Sequence, residues 1–330
     1  MGILSIGIAT FERGYLAEKR LIELNKISID NQIEIYIIDN NSQDGSYEKL
    51  INTSNKINNN KIKLYRNTEN KGFSGNFVEV INKANNDYVL WCSDEDLLIA
   101  KNLLELINFL KTNKPDILVT NYQIEKFDEL IEYRKNSTKK IIAGNLWNDA
   151  PHLPGIIFNT RKAKLILNNF KDLSQNYPQL TRYYPQFFIF ICLLPLNESW
   201  YLDINISKQI DHAEELHPLI SGNKFWMLPS RWTQMKEINS FLDHRLSIVK
   251  SEYELKQIKI IKNKTNEFIY LLIRYSILNE NSELINFFDN GANKYYQDQL
   301  IITRFIKYFI ILFYNPILVF NKLKIKLKKL

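Results

Sequence analysis

The sequence predicts an α/β protein with a mostly parallel sheet and flanking helices, followed by a helical C-terminal extension. Short β-branched runs alternate with segments of helical spacing through the first hundred residues, which is typical of right-handed βαβ units. The chain has 330 residues, of which 45% are hydrophobic. This is enough for a substantial core and long for a single compact domain, so we expect one large α/β domain with an appended part.

Four predicted strands alternate with helices at the start of the chain. The strands are ILSIGIAT, ending in Thr10, IEIYIID, ending in Asp39, KIKLYRN, ending in Asn67, and DYVLWCS, ending just before Asp94. GYLAEKRLIELNKI, the stretch after the turn NNSQDG, and FSGNFVEVINKAN have helical spacing. The apolar LLIAKNLLELINFLKTN predicts a further helix directly after the acidic residues that follow the fourth strand.

The second half of the chain has weaker signals. PDILVTNYQIEKF predicts a strand, EYRKNSTKKII a hairpin or loop, and LPGIIFNTRKAKLILNNF a turn at Gly155, a strand and a helix. FFIFICLLPL, from Phe187 to Leu196, is too short to span a bilayer and predicts a buried helix. Residues 221–300 have helical periodicity. We place an α/β domain at 1–215, a helical extension at 216–300 and a tail at 301–330.

The cysteines and the N-terminus favour a cytoplasmic protein. Cys92 and Cys192 both lie inside apolar runs, as small core residues do, rather than in a disulfide framework or a zinc site. The start MGILSIGIATFERG lacks the basic region, apolar core and cleavage site of a signal peptide. We therefore expect the protein in a reducing compartment.

The tail at 301–330 concentrates the positive charge. It contains seven Lys and Arg residues and no acid, which equals the net charge of +7 of the whole chain. Its apolar run FIILFYNPILVF is shorter than the about 20 residues that a bilayer span needs. An apolar, aromatic run followed by NKLKIKLKKL is typical of a segment lying on an anionic membrane surface. We expect peripheral attachment to the inner face of the cell membrane; the alternative is a packed helix with a solvated lysine end.

Four other function classes lack their sequence signals. The basic charge is not spread over a face with regularly spaced stacking aromatics, so we expect no nucleic-acid partner. NKGFSGN is neither the GxGxxG fingerprint nor a phosphate-binding GxxxxGK loop, which disfavours a dinucleotide enzyme or an ATPase. GIATFERG lacks the glycine-rich, basic phosphate loop that we expect of a sugar-1-phosphate nucleotidyltransferase.

Three consecutive carboxylates, Asp94, Glu95 and Asp96, follow the fourth predicted strand in YVLWCSDEDLL. Ligands of parallel sheets bind beyond the carboxyl ends of the strands, so we expect this cluster at one edge with the residues at the ends of the other predicted strands. Those residues are Thr10, Phe11, Glu12, Asp39 and Asn67. Adjacent carboxylates repel one another unless a cation neutralises them, and Mg2+ or Mn2+ takes such oxygen ligands together with substrate phosphates. The alternative is a solvated turn in which Asp94 or Asp96 caps the next helix.

Four segments, in this order and spacing, resemble the nucleotide-binding half of a family 2 glycosyltransferase of the GT-A fold: SIGIATFER, IYIIDNNSQDGS, LYRNTENKGFSGN and YVLWCSDEDLL. The resemblance covers residues 2–125 and extends more loosely to about 215. It implies an inverting transferase that moves a sugar from a nucleotide-sugar, usually UDP-linked, to a saccharide or lipid-linked acceptor. SDED and the tyrosine- and proline-rich middle are similar to the bacterial surface-polysaccharide branch, which includes abequosyltransferase-like enzymes.

The resemblance also implies a nucleotide pocket and a metal site. The residues implied to bind the nucleotide are Thr10, Phe11, Glu12, Asp39, Arg66, Asn70 and Asp94. Of these, Asp39 matches the acid that accepts a hydrogen bond from the base. For the divalent cation, the family motif falls on Asp94 and Asp96, or shifts so that Glu95 is a ligand and Ser93 replaces the first acid.

The general base is left open by the resemblance. Most inverting members carry a Glu-Asp pair downstream of the glycine that matches Gly155, whereas this chain has Gln179 and Gln186 and no acid in NYPQLTRYYPQFFIFICLL. A glutamine cannot accept the proton of the acceptor hydroxyl. The remaining candidates are Asp149, His152, Asp172, Asp211, His212, Glu214 and Glu215.

We assign the catalytic role to Asp94, Asp96, Asp211 and His212, and count His212 among the candidate metal ligands with the three consecutive carboxylates. The missing Glu-Asp pair favours one alternative. It is a non-catalytic, nucleotide-binding and membrane-associated subunit of a polysaccharide assembly complex.

Overall fold

The computed structural model describes residues 2–26, 32–57, 62–126, 129–146, 153–210 and 228–278. The chain forms two compact units, one of residues 1–222 and 237–262 and the other of residues 223–236 and 263–330. The boundaries predicted at 215 and 300 stay predictions, and the tail at 301–330 lies outside the described residues.

The first unit is built on a sheet whose leading strands alternate with helices. The strands are β1 (Leu4–Thr10), β2 (Ile33–Asp39), β3 (Ile62–Arg66) and β4 (Tyr88–Ser93). The helices between them are α1 (Gly14–Asn25), α2 (Ser46–Lys56) and α3 (Gly72–Lys83). β1 pairs in parallel with both β2 and β4, and β2 pairs in parallel with β3. The predicted βαβ alternation is confirmed.

The rest of the sheet is mixed. Its strands are β5 (Asp96–Leu98), β6 (Ile117–Lys126), β7 (Glu129–Arg134), β8 (Lys139–Lys140), β9 (Ile156–Asn159) and β10 (Ser199–Ile210). The strand order is β3-β2-β1-β4-β9-β6-β10-β5, with β7 on β6 and β8 on β10. β9 is antiparallel to β4 and β6, whereas β10 is parallel to β6 and antiparallel to β5.

β10 is absent from the sequence predictions although it carries a strand signal. Leu202, Ile204 and Ile206 alternate with polar residues and are all buried. Such period-two alternation is the pattern of a strand with one face in the core.

Seven further helical segments complete the described fold. They are α4 (Leu103–Asn113), α5 (Thr160–Leu167), α6 (Phe170–Asn176), α7 (Pro178–Tyr183), α8 (Gln186–Leu193), α9 (Leu228–Ile248) and α10 (Glu252–Leu278). The buried helix predicted at Phe187 corresponds to α8, whose residues Phe187 to Ile191 are at most 1% exposed. Across the described ranges, the helices are too short or too polar to cross a membrane.

The helix predicted over residues 97–113 begins later than expected. Residues 96–98 pair with β10 as β5, and a 3-10 turn, Ala100–Asn102, precedes α4. Helix capping by Asp94 or Asp96 is therefore excluded, since Asn102 occupies the cap position of α4.

The core beneath the sheet edge is apolar and closely packed. Ile6 and Ile8 of β1 are at most 3% exposed and pack in one cluster with Leu21 of α1 and Leu106 of α4. Each buried side chain of this kind stabilises the fold by about 1.5–3 kcal/mol. The packing of α1 and α4 against β1 therefore holds the end of β1 in place at the sheet edge.

Candidate active site

The carboxyl ends of β1, β2, β3 and β4 form one edge, which we call the rim. Thr10 lies opposite Asp39 in the register of β1 and β2, and Asp39 lies opposite Arg66 in that of β2 and β3. On the other side, the Thr10 hydroxyl donates a hydrogen bond of 2.6 Å to Asp94 Oδ2. Asp39 and Asp94 are thus both neighbours of Thr10, as the strand pattern predicts.

Asp94 is fully buried at the rim, with hydrogen-bond donors on both oxygens. Arg13 Nη2 lies 2.7 Å from Asp94 Oδ1, and Thr10 donates to Oδ2. Burial raises the pKa of Asp94 to about 6, although the Arg13 charge and the Thr10 hydroxyl both act to lower it. This carboxylate holds the end of β1 against the end of β4.

Asp96 is also buried, at 4% exposure, and anchors the strand β5. The Ser93 N–H donates to Asp96 Oδ2 at 2.8 Å, and the Tyr122 hydroxyl donates to Oδ1 at 2.9 Å. Burial raises the pKa of Asp96 to about 7, against the lowering effect of these two donors. Asp96 therefore ties β4 and β6 to the start of β5.

Glu95 is the most accessible of the three consecutive carboxylates, with 14% of its side chain exposed. The Arg13 Nη1 group forms an ion pair with Glu95 Oε1, and Gln209 Nε2 donates to Glu95 Oε2 at 2.8 Å. β10 brings Gln209 to this point through its antiparallel pairing with β5.

A divalent cation can be tested against this donor set. In the part of the chain that the structure describes, no group of three or more His, Cys, Asp or Glu side chains is arranged to hold a metal ion. Asp94 and Asp96 are buried, whereas Glu95, whose two oxygens also accept hydrogen bonds, reaches the surface. The residues fit a cation held by Glu95 together with the phosphates of a ligand, a usual arrangement for Mg2+.

Asp39 organises the turn that follows β2. It is fully buried and accepts hydrogen bonds from both the N–H and the hydroxyl of Ser42. Arg66 Nε lies 3.5 Å from Asp39 Oδ2, and Arg66 Nη2 donates to the Ser42 carbonyl at 2.6 Å. Arg66 also lies 5.3 Å from the centre of the Tyr47 ring. The turn thus presents Arg66, which is 29% exposed, beside a buried acid.

Ser42 also fixes the chain where it leaves β1. Its hydroxyl accepts a hydrogen bond of 2.8 Å from the Glu12 N–H. Glu12 has a φ of +52°, in the left-handed region that residues other than glycine rarely adopt. The Glu12 side chain is exposed and that of Phe11 is half-buried.

A group of asparagine side chains builds the neighbouring wall. Asn40 Nδ2 donates to Asn70 Oδ1 at 2.9 Å and to the Gly72 carbonyl at 3.2 Å. Asn67 Nδ2 donates to Asn40 Oδ1 at 2.8 Å and to Asn76 Oδ1 at 3.3 Å. These bonds place Asn70 and the start of α3 beside the end of β2.

Of the residues predicted as candidates for the general base, only Asp172 lies within the described part of the chain. Asp211 and His212 lie outside the described residues, as do Asp149, His152, Glu214 and Glu215. Asp172 is exposed on α6, and Gln186, at the start of α8, is 2% exposed. The catalytic roles of Asp211 and His212 stay predictions.

Four residues that contact the acids of the rim are not among the predicted site residues: Arg13, Ser42, Tyr122 and Gln209. Ser42 has a local signal, because Ser three residues after a strand-end Asp commonly bonds back to it in a turn. Tyr122 and Gln209 reach the site only through the pairings of β6, β10 and β5, which no local pattern reveals.

The family profile described as Glycosyl transferase family 2 matches residues 5–188, more than half of the chain. The chain therefore belongs to glycosyl transferase family 2. None of the curated proteins compared with it shows a significant match.

Solved structures of TarS from S. aureus share the fold. TarS 1–349 in complex with UDP-GlcNAc superposes with a TM-score of 0.60 at 14% identity, over 91% of this chain and 79% of that chain. The same fragment with UDP gives a TM-score of 0.58 at 13% identity, over 91% and 78%. A longer TarS structure gives 0.56 at 14% identity, over 91% and 48%. At this identity the likeness shows the fold alone, and it confirms the predicted GT-A architecture.

Proposed function

We propose that this glycosyltransferase is an inverting enzyme that moves a sugar from a UDP-linked donor to a saccharide or lipid-linked saccharide. The acceptor belongs to a bacterial surface polysaccharide, namely capsule, O-antigen or lipooligosaccharide. The observation that carries the proposal is the rim, where Thr10 joins the strand that ends in Asp39 to the loop that holds Glu95. The common fold with TarS, solved with UDP-GlcNAc, supports a nucleotide-sugar donor.

The ends of β2 and β3 provide the nucleotide end of the site in this proposal. Arg66 is partly exposed, and its guanidinium is held beside the pocket by the Ser42 carbonyl and by an ion pair of 2.9 Å with Glu48. In this proposal a ribose or a phosphate oxygen replaces the exposed Glu48 as its partner. Asn70 belongs to the asparagine wall beside it. Asp39 shapes this pocket through Ser42, since both of its oxygens accept hydrogen bonds from that residue.

The loop after β4 provides the diphosphate end. Glu95 supplies an oxygen ligand for a Mg2+ or Mn2+ ion, which when bound neutralises the charge of the departing diphosphate. Asp94 and Asp96 orient this loop through Thr10 and Tyr122. The difference in exposure favours the shifted register, in which Glu95 is the ligand and Ser93 stands at the position of the first acid.

The acceptor side requires a base. Gln209 contacts Glu95, and Asp211 and His212 follow within a few residues. The chain advances at most about 3.6 Å per residue, so the Cα atoms of Gln209 and Asp211 are at most about 7 Å apart. We propose Asp211 or His212 as the base. The basic tail at 301–330 supports an acceptor at the inner face of the membrane.

The test is UDP release from a panel of sugar nucleotides with Mn2+ and a membrane extract as acceptor. We expect release from one donor, stimulated by the extract and lost in Asp211→Asn or His212→Gln. Nucleotide binding with no release from any donor would instead support the non-catalytic subunit, which the buried Gln186 in place of an acid favours.

A further inference from the structure

We infer that Arg13 is the resident counter-cation of the carboxylate cluster, and that a divalent cation reaches Glu95 only when the Arg13 guanidinium moves away. The inference deepens the proposed function, because it concerns the same rim. It assigns Arg13 as a positioning residue that couples cation binding to donor binding.

The contacts of Arg13 carry the first step. One guanidinium bridges two adjacent carboxylates, with Nη2 2.7 Å from Asp94 Oδ1 and Nη1 in contact with Glu95 Oε1. Within the described ranges, Arg13 is the cation in ion-pair contact with the residues Asp94 to Asp96. Its guanidinium therefore occupies the space beside Glu95 that a bound ion would need.

Competition for Glu95 is the second step. Both Glu95 oxygens already accept hydrogen bonds, one from Arg13 and the other from Gln209. Mg2+ binds a carboxylate oxygen at about 2.0–2.1 Å. An ion at that distance from Glu95 Oε1 would overlap with the Arg13 guanidinium. The two cations also repel each other, so they do not share Glu95. Gln209 is neutral and adds no such repulsion.

The freedom of Arg13 to move is the third step. Its side chain is 24% exposed, whereas Asp94 is fully buried and cannot follow it. Arg13 precedes the first turn of α1 and is not locked within a helix. A displaced guanidinium at this edge finds a new anionic partner in the diphosphate of the donor, since arginine binds phosphate through paired hydrogen bonds. The donor then assists cation binding by taking Arg13 away from Glu95.

The test is a titration of the full chain with Mn2+, with and without UDP. Electron paramagnetic resonance measures the concentration of free Mn2+ at each step. Arg13→Ala should bind Mn2+ about tenfold more tightly than the wild type in the absence of UDP, within the usual range of such coupling. Lys19→Ala is the matched control, because Lys19 is exposed on the same helix and its removal changes the net charge equally. UDP should increase Mn2+ affinity more in the wild type than in Arg13→Ala.

Two further variants separate the charge of Arg13 from its packing and test whether Glu95 is the ligand. Arg13→Gln retains length and hydrogen bonding without the charge, and replaces Arg13→Ala if that variant does not fold. Adding Glu95→Gln to Arg13→Ala should abolish the gain. The inference is overturned if neither Arg13 variant binds Mn2+ more tightly than the wild type, if Lys19→Ala shows the same gain, or if no variant binds Mn2+. In the last case, metal-independent UDP release would leave the proposed transferase standing. A gain in Mn2+ affinity in the Arg13 variants without UDP release from any donor would support the role of Arg13 and contradict the proposed transferase.

Discussion

The Thr10 hydroxyl donates a hydrogen bond of 2.6 Å to the buried carboxylate of Asp94, 84 positions away in the sequence. Thr10 ends β1 and Asp94 follows β4, and these strands are neighbours in the sheet. This bond links the proposed nucleotide end of the rim to its proposed diphosphate end, because Thr10 also lies opposite Asp39.

Removing that hydroxyl tests the link. Thr10→Val keeps the shape of the side chain but leaves one oxygen of a buried carboxylate without its donor, which costs about 1–3 kcal/mol. Thr10→Ser retains the donor and should cost less. Urea unfolding monitored by circular dichroism measures both. Equal losses in the two variants would show that packing of the methyl group, rather than the hydrogen bond, holds this position.

The stability of the metal-free protein should fall as pH rises from about 4 to about 7. The pKa of Asp96 is about 7 in the folded chain, against an ordinary value near 3.9 in the unfolded chain. Between these values the folded state binds more protons, so the free energy of unfolding decreases with increasing pH. Asp96→Asn removes this titration and can still pair with Ser93 and Tyr122. It should be more stable than the wild type by more than about 1 kcal/mol at pH 8.

Melting temperatures across pH 4 to 8 check this expectation. The exposed Asp172 gives a matched control, since Asp172→Asn makes the same chemical change away from the rim. A profile of Asp96→Asn as steep as that of the wild type would assign the slope to other groups.

Substitution of Ser42 should weaken donor binding more than it slows turnover. Ser42→Ala removes the hydroxyl that donates to Asp39 and accepts from the Glu12 N–H, so the turn whose carbonyl contacts Arg66 loosens. A loss of about 1 kcal/mol in binding free energy, the size of one hydrogen bond, corresponds to roughly fivefold weaker UDP binding. Calorimetry with UDP measures it, and the exposed neighbour Gln43→Ala should bind UDP as the wild type does. Unchanged UDP affinity in Ser42→Ala would place the turn outside the nucleotide site.

Gly155 should tolerate alanine less well than Gly45, although both have positive φ values of +72° and +81°. A Cβ at Gly155 would meet Thr120 Oγ1 at 2.7 Å and Arg134 Nη2 at 3.0 Å, whereas nothing lies within 4 Å at Gly45. The unfavourable φ costs each variant about 1 kcal/mol, and crowding adds about 1–3 kcal/mol at Gly155 alone. Chemical denaturation of Gly155→Ala and Gly45→Ala measures the difference, and equal destabilisation would contradict this packing.

Removal of residues 301–330 should abolish flotation with anionic liposomes. The five lysines from Lys322 to Lys329 are expected to contribute about 1 kcal/mol each near a negatively charged surface. Changing those five lysines to glutamine should have the same effect on anionic vesicles and little effect on neutral ones. Unchanged flotation of the truncated chain would rule out the tail as the attachment point.

The strands β1 to β4 and the helices between them could be predicted because each βαβ unit is formed by local pattern and short connections. The meeting of Thr10, Asp39 and Asp94 at one edge follows from the same rule. Which of the three carboxylates is accessible could not be predicted. It depends on the three-residue strand β5, which pairs with the distant β10, and Asp96 is turned inward toward Tyr122 by that pairing.

The alternating exposure along Asp94, Glu95 and Asp96 has a practical consequence for protein engineering. Positions 94 and 96 are sealed, so even the extra methylene of glutamate would strain their surroundings. Position 95 reaches solvent, and Asp, His or Asn could be introduced there with little disturbance of the fold. Because ligand hardness and geometry determine which divalent metals are preferred, substitutions at this single accessible position would change the metal selectivity of the proposed cation site.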